Sequence, residues 1–221
     1  EITAKGYAVM ERSSSTLLLA KDLTVKRPIA SLTKIMTAIV TLENNSTNKE
    51  ITVTDAAVKV GEAVMGLTAG EQLSITDLLY GMMLPSGNDA AETLAEGLGG
   101  RNIFIKKMNV KAKYLGLFDT FFFNPTGLDE EKLKDTSFST PLDLLALTNY
   151  ALTNSKFATI VSTYYKEIPY AEGKHKAFYL YNILQLDRAY PGIKGVKPGV
   201  TQFAGETLVS FAENGGKHLI V

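Results

Sequence analysis

Ser31 and Lys34 stand three residues apart at the head of an apolar, helix-patterned stretch. On a helix, positions i and i+3 share a face about one turn apart, so the lysine amine can reach the serine hydroxyl. The positive potential of a helix N-terminus favours an alkoxide or oxyanion at the same place. A serine nucleophile with a lysine partner is the chemistry such a pair could do. The string alone is weak, because a chain with this serine and lysine content produces S-x-x-K by chance. Ser46-Thr47-Asn48-Lys49 is a second copy. It falls in a polar break with no helix to position it, and is read as a decoy.

Two later strings add context. Ser86-Gly87-Asn88 falls in a tight link after Pro85, between two helix patterns, where polar side chains can point into a cleft. Lys197-Pro198-Gly199-Val200-Thr201 lies on an expected strand. S-x-x-K, then S-x-N, then a lysine-led strand, in that order, form a far more specific set than any one of them. The other candidates are poorer. His175 and His218 are isolated from acidic and serine clusters, and both are read as structural. With no cysteine and only these histidines, neither a metal nor a cofactor is expected. Gly192, Gly195 and Gly199 do not match the phosphate-loop pattern and are read as places of close backbone approach along a strand.

The elements that must position these residues follow from periodicity. Short apolar runs at 6–10 and 16–20, separated by Glu11-Arg12-Ser13-Ser14-Ser15, predict two strands and a turn. Leu32, Ile35, Ile39, Val40 and Leu42 predict a helix from Ser31 to about Glu43. Asn44 to Glu50 reads as a turn, including the overlapping sequons at Asn44 and Asn45. Further helices are expected from Ser74 to Leu84, 89–96, 102–114, 141–153 and 155–162. After about residue 164 the texture turns to β-branched and aromatic residues. Strands are expected at Ile193–Thr201, Glu206–Ala212 and Lys217–Val221, with Asn214-Gly215-Gly216 turning the last pair. Strands at both ends and helices between them suggest an antiparallel sheet completed by both termini, with a mainly helical insert. The whole of 1–221 reads as one domain, with a sheet part at about 1–45 and 165–221 and a helical part at about 46–164.

Composition excludes other classes. The 221 residues are 45% hydrophobic and 21% charged, which is ordinary globular usage. Lys+Arg and Asp+Glu are 23 each, so the basic surplus of a nucleic-acid binder is missing and no nucleic-acid partner is expected. No segment reaches the ~18 apolar residues of a membrane span. The chain starts at Glu1 without a basic-then-apolar leader, so any signal peptide is expected to have been removed. It stops in mid-run at His218-Leu219-Ile220-Val221, so a C-terminal part is expected to be missing.

On these motifs the chain resembles the serine-type D-alanyl-D-alanine carboxypeptidases, the low-molecular-mass penicillin-binding proteins of the SxxK acyltransferase superfamily. The resemblance runs along essentially the whole chain. It includes the stretches Pro28–Thr37, Leu84–Ala91, Asn124-Pro125-Thr126-Gly127-Leu128 and Gly192–Lys197. It implies an α/β fold of the β-lactamase/transpeptidase type. It implies that Ser31 attacks the terminal D-Ala-D-Ala bond of peptidoglycan stem peptides through an acyl-enzyme, and that β-lactams acylate the same serine. Lys34 would be the general base. A free lysine titrates near 10.4, so poising it near 7 requires about 4 kcal/mol of differential stabilisation, which burial and a nearby Lys197 both favour. Ser86 would relay a proton to the leaving amine, Asn88 would hold the substrate amide, and Lys197 would help bind the carboxylate. The N–H groups of Ser31 and Val200 would form the oxyanion hole, and the substrate would lie along 197–201, beside Gly199 and Thr201, as an added strand. Family members work outside the cytoplasmic membrane, often tethered by a C-terminal amphipathic segment that is not in this chain.

Pro198 departs from the family pattern, which has Thr or Ser there with a hydroxyl that helps bind the terminal carboxylate. Proline offers neither hydroxyl nor N–H. If Val200 aims its N–H into the cleft, residue 198 points the same way, so the neighbouring strand loses nothing. One charge-assisted hydrogen bond is worth about 1.5–3 kcal/mol, or roughly 10- to 150-fold in carboxylate binding. Thr201 is a candidate to compensate, and the sequence alone does not place its hydroxyl. The departure supports one alternative, a weakened relative that binds peptidoglycan without cutting it. A β-lactamase is the other. Its deacylating E-x-x-L-N has only Glu130-Glu131-Lys132-Leu133-Lys134 as a near match, with Lys134 where Asn is needed.

Overall fold

The computed structural model describes residues 2–44, 46–184 and 190–221. Asn45, within the expected sequon turn, lies outside the described residues, as does Glu1. Five antiparallel strands form the main sheet: β1 (Tyr7–Glu11), β2 (Thr16–Lys21), β9 (Ile193–Thr201), β10 (Gly205–Asn214) and β11 (Lys217–Ile220). Their order is β2-β1-β11-β10-β9, so the C-terminal hairpin is inserted beside the N-terminal one and both chain ends complete one sheet.

Helices fill the middle of the chain. A 3-10 turn, Ala30–Leu32, leads into α1 (Thr33–Asn44). There follow α2 (Asp55–Val58), α3 (Ile75–Met83), α4 (Asn88–Gly97), α5 (Arg101–Tyr114), α6 (Pro141–Ala151) and α7 (Ser155–Val161). Side-chain caps mark several starts: Ser74 accepts from Asp77 N, Thr140 from Asp143 N ahead of Pro141, and Asn154 from Lys156 N and Phe157 N. Two-stranded ribbons pair β3 (Arg27–Pro28) with β6 (Phe138–Ser139), β4 (Glu50–Thr52) with β5 (Gln72–Ser74), and β7 (Tyr165–Ile168) with β8 (Phe178–Tyr181).

α1 is the axis of the molecule. Ile35, Met36, Ala38, Ile39 and Val40 are all buried, because α3, α4, α5, α6 and α7 pack around it. A helix enclosed on every side supplies a dry environment to whatever polar group it carries. α6 lies against β1 and β11, and α7 against β9, although both precede residue 165. Val161 of α7 packs against Gly195 of β9, and Leu145 of α6 is buried as well.

One difference bears on the site. The expected helix begins at Ser31, but residues 30–32 form a 3-10 turn and the α-helix starts at Thr33. The cause is local: Ala30 adopts a left-handed φ of 47° beneath the 124–128 loop. Gly127, at φ 85°, comes so close to the Ala30 carbonyl that a side chain there would overlap it.

Candidate active site

Four chain segments converge on Ser31. The 3-10 turn and α1 bring Ser31 and Lys34, the link after α3 brings Ser86, the head of α4 brings Asn88, and β9 brings Lys197. Lys34 Nζ lies 2.9 Å from Ser31 Oγ, 2.7 Å from Asn88 Oδ1 and 2.8 Å from the Thr126 carbonyl oxygen. Ser86 Oγ donates to Ser31 Oγ at 3.1 Å. Ser86 holds φ at 66°, a strained backbone for a serine, which turns its hydroxyl toward Ser31.

The partners of Lys34 fix its chemistry. Two of them are acceptors: the Thr126 carbonyl, and Asn88 Oδ1, whose amide NH2 is committed to the Gly61 carbonyl at 3.1 Å. A neutral amine has two N–H groups and one lone pair. The two acceptors take the N–H groups, and the lone pair is left facing the Ser31 hydroxyl. Burial drives the amine toward that neutral form. Lys34 is completely buried, and burial followed by the charge of Lys197 pushes it well below the ordinary lysine range. Lys197 is also completely buried, is pushed down to about 7 by burial, and donates to the Pro198 carbonyl at 2.9 Å. Two buried lysines, each pushed toward its neutral form, therefore lie close enough for the charge of Lys197 to act on Lys34.

β9 forms the opposite wall. Ser210 exchanges two hydrogen bonds with Val221, both 2.9 Å, so its polar backbone faces β11. Alternation turns Thr207 and Val209 toward β9, where they stand opposite Gly199 and Lys197. Pro198 and Val200 consequently aim their backbone polar groups away from β10, to the open edge of the sheet. Proline at 198 costs no ladder hydrogen bond. At Gly199 a Cβ would come within 2.8 Å of the Ser31 nitrogen, so glycine is what lets the strand lie against the serine turn. Thr207 Oγ1 donates across the same junction, to the Ile29 and Gly199 carbonyls.

Ser31, Ser86, Asn88, Pro198, Gly199, Val200 and Thr201 all line one cleft. Thr201 is placed otherwise than a compensating carboxylate donor: its hydroxyl donates to Asp129 Oδ1 at 2.8 Å and accepts from Ala204 N. His175 and His218 lie elsewhere. His175 sits beside the Lys176 carbonyl, and His218 contacts Glu213. The decoy pair, Ser46 and Lys49, closes a turn before β4.

Two residues at the site escape motif reading. Asp89 is buried and accepts from the N–H groups of Met65, Gly66 and Leu67, which holds the 61–67 loop over α4. Asp129 accepts from Thr201 Oγ1 and Phe203 N, which ties the end of β9 to the loop that carries Thr126. Their only sequence signal is adjacency, Asp89 to Asn88 and Asp129 to the 124–128 stretch.

A family model described as Peptidase_S11, D-alanyl-D-alanine carboxypeptidase, matches residues 1–221. The chain is 34% identical over 223 residues to the D-alanyl-D-alanine carboxypeptidase DacF of Bacillus subtilis, covering 98% of this chain and 56% of that protein. It is 33% identical over 218 residues to the D-alanyl-D-alanine carboxypeptidase DacB2 of Mycobacterium tuberculosis, covering 99% and 73%. The solved structure of the Streptomyces K15 DD-transpeptidase superposes with a TM-score of 0.91 at 33% identity, over 100% of this chain and 88% of that one. The chain thus spans little more than half the length of the Bacillus relative.

Proposed function

The chain belongs to the D-alanyl-D-alanine carboxypeptidase family, and from that premise we propose that it is a serine hydrolase removing the terminal D-alanine from peptidoglycan stem peptides. The observation that carries the reading is the Lys34 amine, pushed toward its neutral form by burial, held by two acceptors and facing the Ser31 hydroxyl at 2.9 Å.

Ser31 Oγ attacks the carbonyl carbon of the penultimate D-Ala as its proton passes to Lys34 Nζ. The negative charge that develops on the carbonyl oxygen meets the N–H groups of Ser31 and Val200, the second of which faces the open edge of β9. Collapse breaks the C–N bond as Ser86 gives its proton to the leaving amine, and the proton taken up by Lys34 passes directly to Ser86, because Ser31 Oγ is by then an ester oxygen with no proton to relay. Water then attacks the acyl-enzyme with Lys34 receiving its proton, and as the acyl C–Oγ bond breaks that proton returns to Ser31 Oγ. Lys197 supports the carboxylate of the leaving residue. Asn88 holds Lys34 as well as substrate, since its carbonyl oxygen is already engaged by the amine. The substrate backbone adds to the open edge of β9 beside Gly199 and Val200. β-Lactams acylate Ser31 by the same attack. The site of action is outside the cytoplasmic membrane of a bacterium.

Pro198 does not favour the non-cutting alternative, because it leaves the Lys34 contacts and the β9–β10 ladder untouched. Incubation with an N-acylated tripeptide ending in D-Ala-D-Ala, followed by assay of free D-alanine, tests the reading. Release by the wild type and none by Ser31→Ala is expected; equal release by both would overturn it.

A further inference from the structure

α5 carries Arg101, Lys106, Lys107, Lys111 and Lys113, and no acidic residue occurs between Glu96 and Asp119. In a chain with no net charge this is a strong local segregation. The helix buries Phe104, Met108 and Ala112 against α1 and α4. At about 100° per residue, Ile103, Val110 and Tyr114 fall within about 40° of one another on the opposite side. Lys106 and Lys113 lie on one flank of that apolar line and Lys107 on the other. The apolar line is exposed: Ile103 53%, Val110 66% and Tyr114 79%, followed past the helix end by Phe118 at 80%. Lys111 is tied to Glu43, and Lys107 reaches the Leu98 carbonyl, but neither Lys106 nor Lys113 forms an ion pair among the described residues.

We propose that this outward face of α5 docks on the surface of an anionic lipid bilayer. The lysines match the charge of anionic headgroups, and the apolar line between them is suited to the boundary below the headgroups. A soluble polyanion would engage the lysines but give Val110, Tyr114 and Phe118 nothing to enter. None of the residues of this stripe lines the catalytic cleft, so a docked molecule keeps its cleft open. The proposal does not depend on the peptidase reading.

Sedimentation of the chain with vesicles of phosphatidylcholine containing phosphatidylglycerol, and with phosphatidylcholine alone, tests it, with far-UV circular dichroism of each variant as the check that it is folded. Binding to the anionic vesicles that weakens with added salt is expected. At about fivefold per lysine, the K106Q/K113Q variant loses roughly 30-fold in partitioning. V110S/Y114S also loses vesicle binding, while its retention by soluble polyphosphate does not change. No preference for anionic vesicles, or partitioning unchanged in K106Q/K113Q, would overturn the proposal. Loss of vesicle binding matched by equal loss of polyphosphate binding in V110S/Y114S would instead make the stripe a polyanion site.

Discussion

Lys34 Nζ and Ser31 Oγ lie 2.9 Å apart, and the amine's other two contacts, Asn88 Oδ1 and the Thr126 carbonyl, are both acceptors. With the amine in the neutral form that burial favours, that pattern leaves its lone pair facing the serine hydroxyl. It also makes the lysine irreplaceable by arginine, which stays protonated and has no lone pair to offer. Lys34→Arg is expected to lower the rate of acylation by benzylpenicillin about 10²- to 10⁴-fold, the usual worth of a general base. Stopped-flow labelling of the two proteins checks this, and a rate within a few-fold of wild type would remove Lys34 from the role.

The pH dependence follows from two lysines displaced in the same direction. In the proposed mechanism acylation requires Lys34 neutral, so the rate is expected to rise with pH through its depressed titration. Binding of an anionic ligand favours Lys197 protonated, and in the free enzyme that proton leaves at about 7. The kcat/KM for a carboxylate-bearing substrate is therefore bell-shaped with its falling limb near 7, and Lys197→Met removes that limb while lowering the whole curve. Stability has its own sign. Below about 7 the Lys197 amine is charged in both folded and unfolded chains, whereas between about 7 and 10.5 the unfolded chain holds the proton and the folded one does not. The lysine's contribution to stability thus increases with pH across that window. Urea midpoints of wild type minus those of Lys197→Met, measured from pH 6 to 10, are expected to rise; a flat difference would contradict the burial-driven shift.

Pro198 faces the open edge of β9, so threonine can replace it without disturbing β10. The added hydroxyl supplies one hydrogen bond to a substrate carboxylate. Pro198→Thr is expected to raise acylation by benzylpenicillin by about 10-fold or more. No gain would mean that the carboxylate is held elsewhere in the cleft.

Asp89 accepts three backbone N–H groups from residues 65–67 in a buried setting. Asp89→Ala strands those donors and is expected to cost about 3 kcal/mol or more, a fall of roughly 6–12 °C in Tm for a chain of this size. Thermal unfolding followed by circular dichroism measures it, and a loss under about 2 °C would show that the loop is held by other contacts.

Much of this molecule is legible in the sequence where period and side-chain chemistry coincide. The pairing of Ser31 with Lys34 follows from spacing, and the helices starting near Ser74, Pro141 and Ser155 follow from caps and apolar periodicity. What could not be read has physical reasons. The Thr126 contact to Lys34 uses a backbone carbonyl, which every residue type carries. The left-handed turns at Ala30 and Ser86 are imposed by tertiary packing on residues with no preference for them. Two-residue strands such as Arg27–Pro28 are too short to show a period. The engagement of Thr201 by Asp129, 72 positions away in sequence, is visible only once the loop is folded onto β9.

The most direct test of the account is the intact mass of the protein after incubation with benzylpenicillin, beside Ser31→Ala treated identically. The account predicts a single drug adduct on the wild type, mapped to the peptide containing Ser31, and none on the variant. No adduct on the wild type at millimolar drug, or the same adduct on Ser31→Ala, would contradict it.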